Sequence, residues 1–262
     1  MLSRLHEDSP RFTMLAVFLS ISTLPVLGAH ALDDRLFNGV NVWNKPLKFQ
    51  FSLIAYLITL AWFSRFAPQA SRRLPLWVAH ERSISWAIVL ELVWICGAAA
   101  TGVASHFNPH PVMAVIYGLM GLAAILLTTG STALAVAIHK NPSTGLDPAV
   151  KAGIVWGLGL TLPLTLITAG TMSALDGHWV GESRTDANGF FLTGWSRTGG
   201  DLRIAHFFAT HSMQLIPLAA WLWFKTFGGG NRYPSVMIAM LYAGFVLWTF
   251  AKTLYGAALS FP

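Results

Sequence analysis

His206 and His211 stand five residues apart inside an apolar run, while His30, His106, His110 and His178 fall at or near the ends of other runs. Six of the nine histidines thus collect toward one side of the segments that carry them. An imidazole nitrogen can ligate a haem iron, and three imidazoles, or two with a carboxylate, can hold zinc or copper. On a helix the His206 and His211 side chains lie about 7.5 Å apart along the axis and point about 140° apart. They therefore face different neighbours instead of chelating one ion as an i, i+4 pair does. The expected ligand set draws on separate helices: His106, His206 and His211 for a metal or haem b, with Arg203 and Lys48 placed to hold an anionic group such as a propionate. The alternative is that the histidines are interfacial polar residues, like the eleven tryptophans. Lys45, Lys48 and Arg203 would then snorkel to lipid phosphates.

Two further ionisable residues sit within apolar runs. Glu91 lies near the middle of its run and Lys252 toward the outer part of the last one. A charge at such depth is costly unless it is neutralised or paired, so an ion pair between neighbouring helices is one expectation and a plain helix-to-helix hydrogen bond the other. Gln214 and Tyr255 are the remaining buried polar candidates. A lysine in a last helix invites comparison with retinal Schiff-base proteins, but no carboxylate counter-ion pattern accompanies it at the right depth of the third run.

The elements that must position these residues are membrane helices. Hydrophobic residues make up 54% of the chain and charged ones 11%, against roughly 25% charged in a soluble domain. The apolar runs cover 12–31, 46–66, 84–105, 112–138, 152–174, 202–224 and 236–259, each near the ~20 residues that span a hydrocarbon layer as a helix. Backbone groups find no water there, and the runs lack the alternation of a membrane barrel. The fold expected is an all-α polytopic bundle of seven transmembrane helices in a single membrane domain over 1–262. The polar stretch 176–200 reads as an external loop.

Basic residues set the orientation. Arg65, Arg72, Arg73 and Arg82 follow the second run, Lys140 and Lys151 flank the fourth loop, and Lys225 and Arg232 precede the seventh run. With Arg4 and Arg11 at the start, this places the amino terminus inside and the carboxyl terminus outside. Acidic Asp33, Asp34, Asp176, Glu182, Asp186 and Asp201 then face the exterior. The net charge of +6 is explained by cytoplasmic loops and does not call for nucleic acid. Cys96 is the only cysteine, which excludes an internal disulfide and a cysteine-based metal site. The first run also resembles a signal peptide ending at Ala29-His30-Ala31, although its length favours a retained helix.

An internal repeat would locate a site. Thr23-Leu24-Pro25 with Ala31-Leu32-Asp33 is echoed by Thr161-Leu162-Pro163 with Ala174-Leu175-Asp176, Leu47-Lys48 by Leu202-Arg203, and Trp94 with Gly102 by Trp248 with Gly256. Either helices one to three and five to seven are parallel copies, over 12–108 and 152–262 and joined by helix four, or common residues recur by chance. In transporters built this way, sites form between the copies.

Lys45-Pro46-Leu47-Lys48-Phe49, the stretch from Gly102 through Ser105-His106-Phe107-Asn108, and Gly200-Asp201-Leu202-Arg203 with His206-Phe207, His211 and Gln214 together resemble a group of functionally uncharacterised bacterial multi-pass inner-membrane proteins. The resemblance covers runs two, three and six. It implies a bacterial inner membrane and carries no activity. The last run departs from it, with Lys252 and Tyr255 where that group has Gln and Arg.

Three functions are open on these residues. One is a haem- or metal-binding membrane protein with its site in the periplasmic leaflet, moving electrons to a redox partner. Another is a membrane-embedded metal-dependent hydrolase acting on a small molecule, although the His-x-x-x-His spacing of seven-helix zinc hydrolases is absent. The third is a proton-coupled transporter or sensor using Glu91 and Lys252.

Overall fold

The computed structural model describes residues 2–108, 110–181, 184–190 and 193–258. Glu182 and the end of the last apolar run at Leu259 lie outside the described residues. The chain divides into two compact units, Met1–Gly130 and Ser131–Pro262.

In the first unit, α1 (Leu2–Asp8) leads into α2 (Pro10–Leu32), and a tight pair of strands, β1 (Leu36–Phe37) and β2 (Val40–Asn41), turns the chain into α3 (Asn44–Ser64). The short α4 (Gln69–Arg72) precedes α5 (Pro75–Thr101), and α6 (Pro111–Lys140) runs on across the unit boundary. Pro10 and Pro75 occupy first helical turns, where a missing N–H costs nothing. Gly102 ends α5 with φ 73°, a left-handed position that glycine adopts without strain. Leu57, Leu60, Ile84, Ile88 and Ile95 are buried between α3 and α5. The Tyr56 hydroxyl donates to the Leu127 carbonyl of α6.

In the second unit, α7 (Pro148–Ala174) is capped by Asp147, whose carboxylate accepts from Ala149 N at 2.8 Å. Strand β3 (Trp179–Val180) pairs antiparallel with β4 (Gly200–Asp201). The chain then forms α8 (Leu202–Thr210), α9 (Ser212–Phe227) and α10 (Tyr233–Leu254).

Among the described residues, six helices are long and apolar enough to cross a membrane: α2, α3, α5, α6, α7 and α10. This is the make-up of a multi-pass membrane protein. The stretch expected as the sixth of seven spans, 202–224, differs from that expectation because it is divided at His211 into α8 and α9. Tyr242 of α10 donates its hydroxyl to the Phe208 carbonyl at 2.7 Å, an acceptor that an unbroken helix would offer to Ser212 N–H. Pro217 in turn has no N–H for the carbonyl four residues back. The Ser212 hydroxyl lies 3.0 Å from the Ala209 carbonyl, 3.2 Å from the Gly157 carbonyl and 2.9 Å from the Thr161 hydroxyl. The break is thus re-satisfied by side chains, as an interrupted helix in lipid requires.

Close approach of α7 to α9 depends on glycine. A Cβ at Gly153 would lie 2.3 Å from the Ala220 Cβ, and one at Gly157 would lie 2.6 Å from the Pro217 Cδ and 2.9 Å from the Ser212 carbonyl oxygen. These glycines stand one turn apart and let the two backbones touch at the break. Gly157→Val is expected to destabilise the protein by about 1–3 kcal/mol through overpacking. A lowered thermal unfolding midpoint of the detergent-solubilised protein checks this. Gly170→Ala serves as the control, since a Cβ there meets nothing within 4 Å.

Candidate functional site

Three polar clusters interrupt the apolar interior, one in the first unit and two in the second. In the first unit, Glu91 of α5 is 4% exposed, and no described residue is placed to hydrogen-bond its carboxyl. Lys45, at the start of α3, is the cation whose charge acts on both Glu91 and His106. The Lys45 Nζ lies 5.9 Å from the centre of the Phe49 ring. His106, just beyond the end of α5, packs its ring 6.1 Å from Phe49 and 5.2 Å from Tyr117. Burial, aided by the charge of Lys45, pushes His106 down to about 3, so its imidazole stays neutral at physiological pH. Trp94 of α5 donates to the Ser105 carbonyl at 2.9 Å and so anchors the segment that carries His106. Gln50, one turn beyond Pro46 on α3 and 3% exposed, donates to the Ser22 hydroxyl at 3.1 Å.

The second cluster lies between α7 and α8. His206 Nδ1 is 3.2 Å from the hydroxyl oxygen of Thr168, a residue only 1% exposed. His211, at the helix break, lies against Phe207 with ring centres 4.2 Å apart. The two rings therefore engage different partners, as their five-residue spacing predicts.

The third cluster fastens the loop between α7 and α8. Asp201 is fully buried and caps α8, accepting from Arg203 N at 3.0 Å and from Ser196 N at 2.9 Å. The Arg203 guanidinium reaches Asp201 at 2.6 Å, Asp186 at 2.7 Å and the Gly194 carbonyl at 2.8 Å. It lies 5.9 Å from the Trp179 ring centre. Arg203, expected to hold an anionic group, is engaged by the chain's own carboxylates. His178 Nε2 stands 3.7 Å from Asp186 Oδ1, an electrostatic contact too long for a hydrogen bond. Burial holds His178 below its ordinary value despite the nearby carboxylates. Burial alone would raise Asp186, but His178 and Arg203 outweigh it and hold the carboxyl low.

The remaining predicted residues are more exposed. Lys48 lies on an exposed face of α3, and Tyr255 is 90% exposed. The Lys252 Nζ sits 5.4 Å from the Trp248 ring centre. At the end of α2, His30 Nε2 lies 2.8 Å from Asn44 Oδ1. Among the described residues, no three His, Cys, Asp or Glu side chains form a group suited to a metal ion. Sequence reasoning passed over Thr168 and Thr249. The signal that marks them is hydroxyls at helical spacing in apolar runs, Thr161, Thr165 and Thr168 on α7 and Thr249 and Thr253 on α10.

Comparison of the chain with protein-family models, with curated proteins and with solved structures finds no match in any of the three. The residues themselves must carry the functional argument.

Two outcomes follow for the third cluster. Arg203→Gln leaves Asp186 and Asp201 facing one another in a buried loop and is expected to cost about 3–5 kcal/mol, the scale for breaking a buried ion pair. Loss of monodisperse protein in size-exclusion chromatography or a large fall in the unfolding midpoint checks it. The folded loop resists a proton that the opened loop binds below the ordinary histidine value of 6.5. Stability from His178 is therefore present above that pH and lost as pH falls through it. Asp186 adds a loss of the same sign below its ordinary 3.8. Amide protection factors of residues 176–181 and 184–190, corrected for the intrinsic pH dependence of exchange, should fall between pH 7 and pH 5, and His178→Asn should flatten that dependence.

Proposed function

We propose that this protein is a proton-responsive membrane transporter or sensor in which Glu91 is the group that gains and loses the proton. The observation carrying this reading is a carboxyl in the middle of a membrane helix, 4% exposed and without a described hydrogen-bond partner, with one cation, Lys45, acting on it. A carboxyl left in that state is costly when charged and inexpensive when protonated, so small changes in its surroundings alter its protonation. Lys45 takes the part that the sequence reading gave to Lys252.

Further support comes from how the two units are built. Each contains a long helix, a two-residue antiparallel strand pair and a return into helix: α2, β1, β2 and α3 in one, α7, β3, β4 and α8 in the other. We read these as parallel copies of one unit and the divided α8–α9 as a seventh crossing, with basic loops in the cytoplasm and the amino terminus inside. A bacterial inner membrane is the proposed location. Interrupted helices and repeated units are recurring features of transporters.

The test uses infrared difference spectra of the full chain in lipid bilayers, recorded between acidic and alkaline pH. A protonated-carboxyl band should be present in the native protein, lost in Glu91→Gln and shifted in Glu91→Asp. In proteoliposomes carrying an internal pH-sensitive dye, Glu91→Gln should slow dissipation of an imposed pH gradient by about 100-fold, the scale on which a proton-transfer group acts. A band of undiminished intensity in Glu91→Gln would sink the proposal.

A further inference from the structure

The second unit holds a polar layer that the Glu91 reading does not use. Leu164 of α7, Ala209 of α8 and Val246 of α10 pack together as one buried apolar cluster. A Cβ at Gly200 would lie 2.1 Å from the Thr253 carbonyl oxygen, so the carboxyl end of α10 stands beside the start of α8. The carboxyl end of α7 leads to the same place, because β3, which follows it, pairs with β4 there. Moving one helical turn from the cluster toward that end gives Thr168 on α7, four residues beyond Leu164. It gives His206 on α8, three before Ala209, and Thr249 on α10, three beyond Val246. The apolar cluster closes this layer on one side, and fully buried Leu202 and Thr253 close it on the other.

Hydrogen bonding fixes the state of the imidazole. The Thr168 hydroxyl lies 3.0 Å from the Leu164 carbonyl and 3.2 Å from the Thr165 carbonyl, so we assign its single proton to the backbone. Its oxygen therefore accepts from His206 at 3.2 Å, which places the imidazole proton on Nδ1 and leaves the Nε2 lone pair open. Thr249 is 1% exposed, and its buried hydroxyl has no hydrogen-bond partner among the described residues. Thr165, one turn along α7, has a second buried hydroxyl in the same condition. The buried Thr249 hydroxyl is costly alone, and a molecule bridging it to the half-buried His206 ring would satisfy it.

We infer that His206 Nε2 and the Thr249 hydroxyl form a binding site for a neutral hydroxyl compound, whose O–H donates to Nε2 while its oxygen accepts from Thr249. The side chains of the layer are uncharged, so an ion gains nothing there. Two sources share this chemistry: an internal water, and the hydroxyl of a membrane-soluble alcohol or phenol.

The test is solid-state NMR of the full chain labelled with 15N-histidine in phosphatidylcholine bilayers, with the His206 signals assigned by their loss in His206→Gln. The expected result is a protonated Nδ1 and an unprotonated Nε2 that receives magnetisation from an O–H proton. Transfer from water in unsupplemented bilayers identifies an internal water. Transfer that appears only on addition of hydroquinone identifies a lipid-phase hydroxyl. Thr249→Val should weaken the transfer several-fold, and Thr249→Ser should restore it. The inference is overturned by a protonated Nε2, by transfer from neither source, or by transfer that persists in Thr249→Val. It is equally overturned by a Soret band or stoichiometric metal that disappears in His206→Gln. None of these readouts depends on Glu91.

Discussion

Within a hydrocarbon layer every backbone carbonyl must find a donor inside the protein, and the break between α8 and α9 exists because Tyr242 supplies one. With its hydroxyl on the Phe208 carbonyl, the helix can interrupt its own ladder at His211 without leaving an acceptor bare. Ser212 and Thr161 work from the other side, bridging the break to the α7 backbone at Gly157. That bridge requires α7 and α9 to approach within reach of short side chains, which is why Gly153 and Gly157 carry no Cβ toward Ala220 and Pro217. Three hydroxyls, one proline and two glycines therefore act together at the break that separates His206 from His211.

Outside the apolar layer the chain solves a different problem with the same local chemistry in both units. Arg35 donates to Asp33 through its backbone N–H at 3.2 Å, its Nε at 2.9 Å and its Nη2 at 2.6 Å. Arg203 binds Asp201 through the same three atoms at 3.0, 2.9 and 2.6 Å. The Asp33 carboxyl, also bonded by Trp43, is held far below the usual carboxylate range by the guanidinium beside it. These clamps are not equivalent positions of a repeat, because Asp33 ends α2 whereas Asp201 begins α8. The Arg35 pair is largely solvated and contributes little to stability. The Arg203 pair is buried and carries a second carboxylate, so its removal is far more disruptive.

Helix positions were legible in the sequence because apolar runs of this length permit little else. The run expected over 12–31 became Pro10–Leu32, and that over 152–174 became Pro148–Ala174. The third apolar run starts at 84, just after Glu81 and Arg82. The helix instead begins at Pro75, since Glu81 finds Arg11 at 3.2 Å and Trp77 at 3.1 Å and is tolerated within it. The division at His211 was hidden because the hydroxyl that accommodates it comes from Tyr242, thirty-four residues beyond the Phe208 carbonyl it bonds. The influence of Lys45 on Glu91 was hidden for the same reason: a charge acting across helices leaves no spacing to read. The histidine spacing was informative for a single helix, where His206 and His211 do face different partners, and could not say what those partners were.

What separates a structural polar group from one able to change state is how completely its bonds are determined. Asp201 accepts from two backbone N–H groups and a guanidinium, charge-assisted bonds that fix the side chain in place. Trp94 and Tyr242 are likewise tied to named acceptors. Glu91 differs in kind, because only the distant charge of Lys45 opposes its neutralisation, and no described hydrogen bond would be lost with its charge. A carboxyl placed that way adds nothing to helix packing that a glutamine or leucine would not supply more cheaply. The proposed proton-responsive role rests on that difference between Glu91 and the tied polar groups around it.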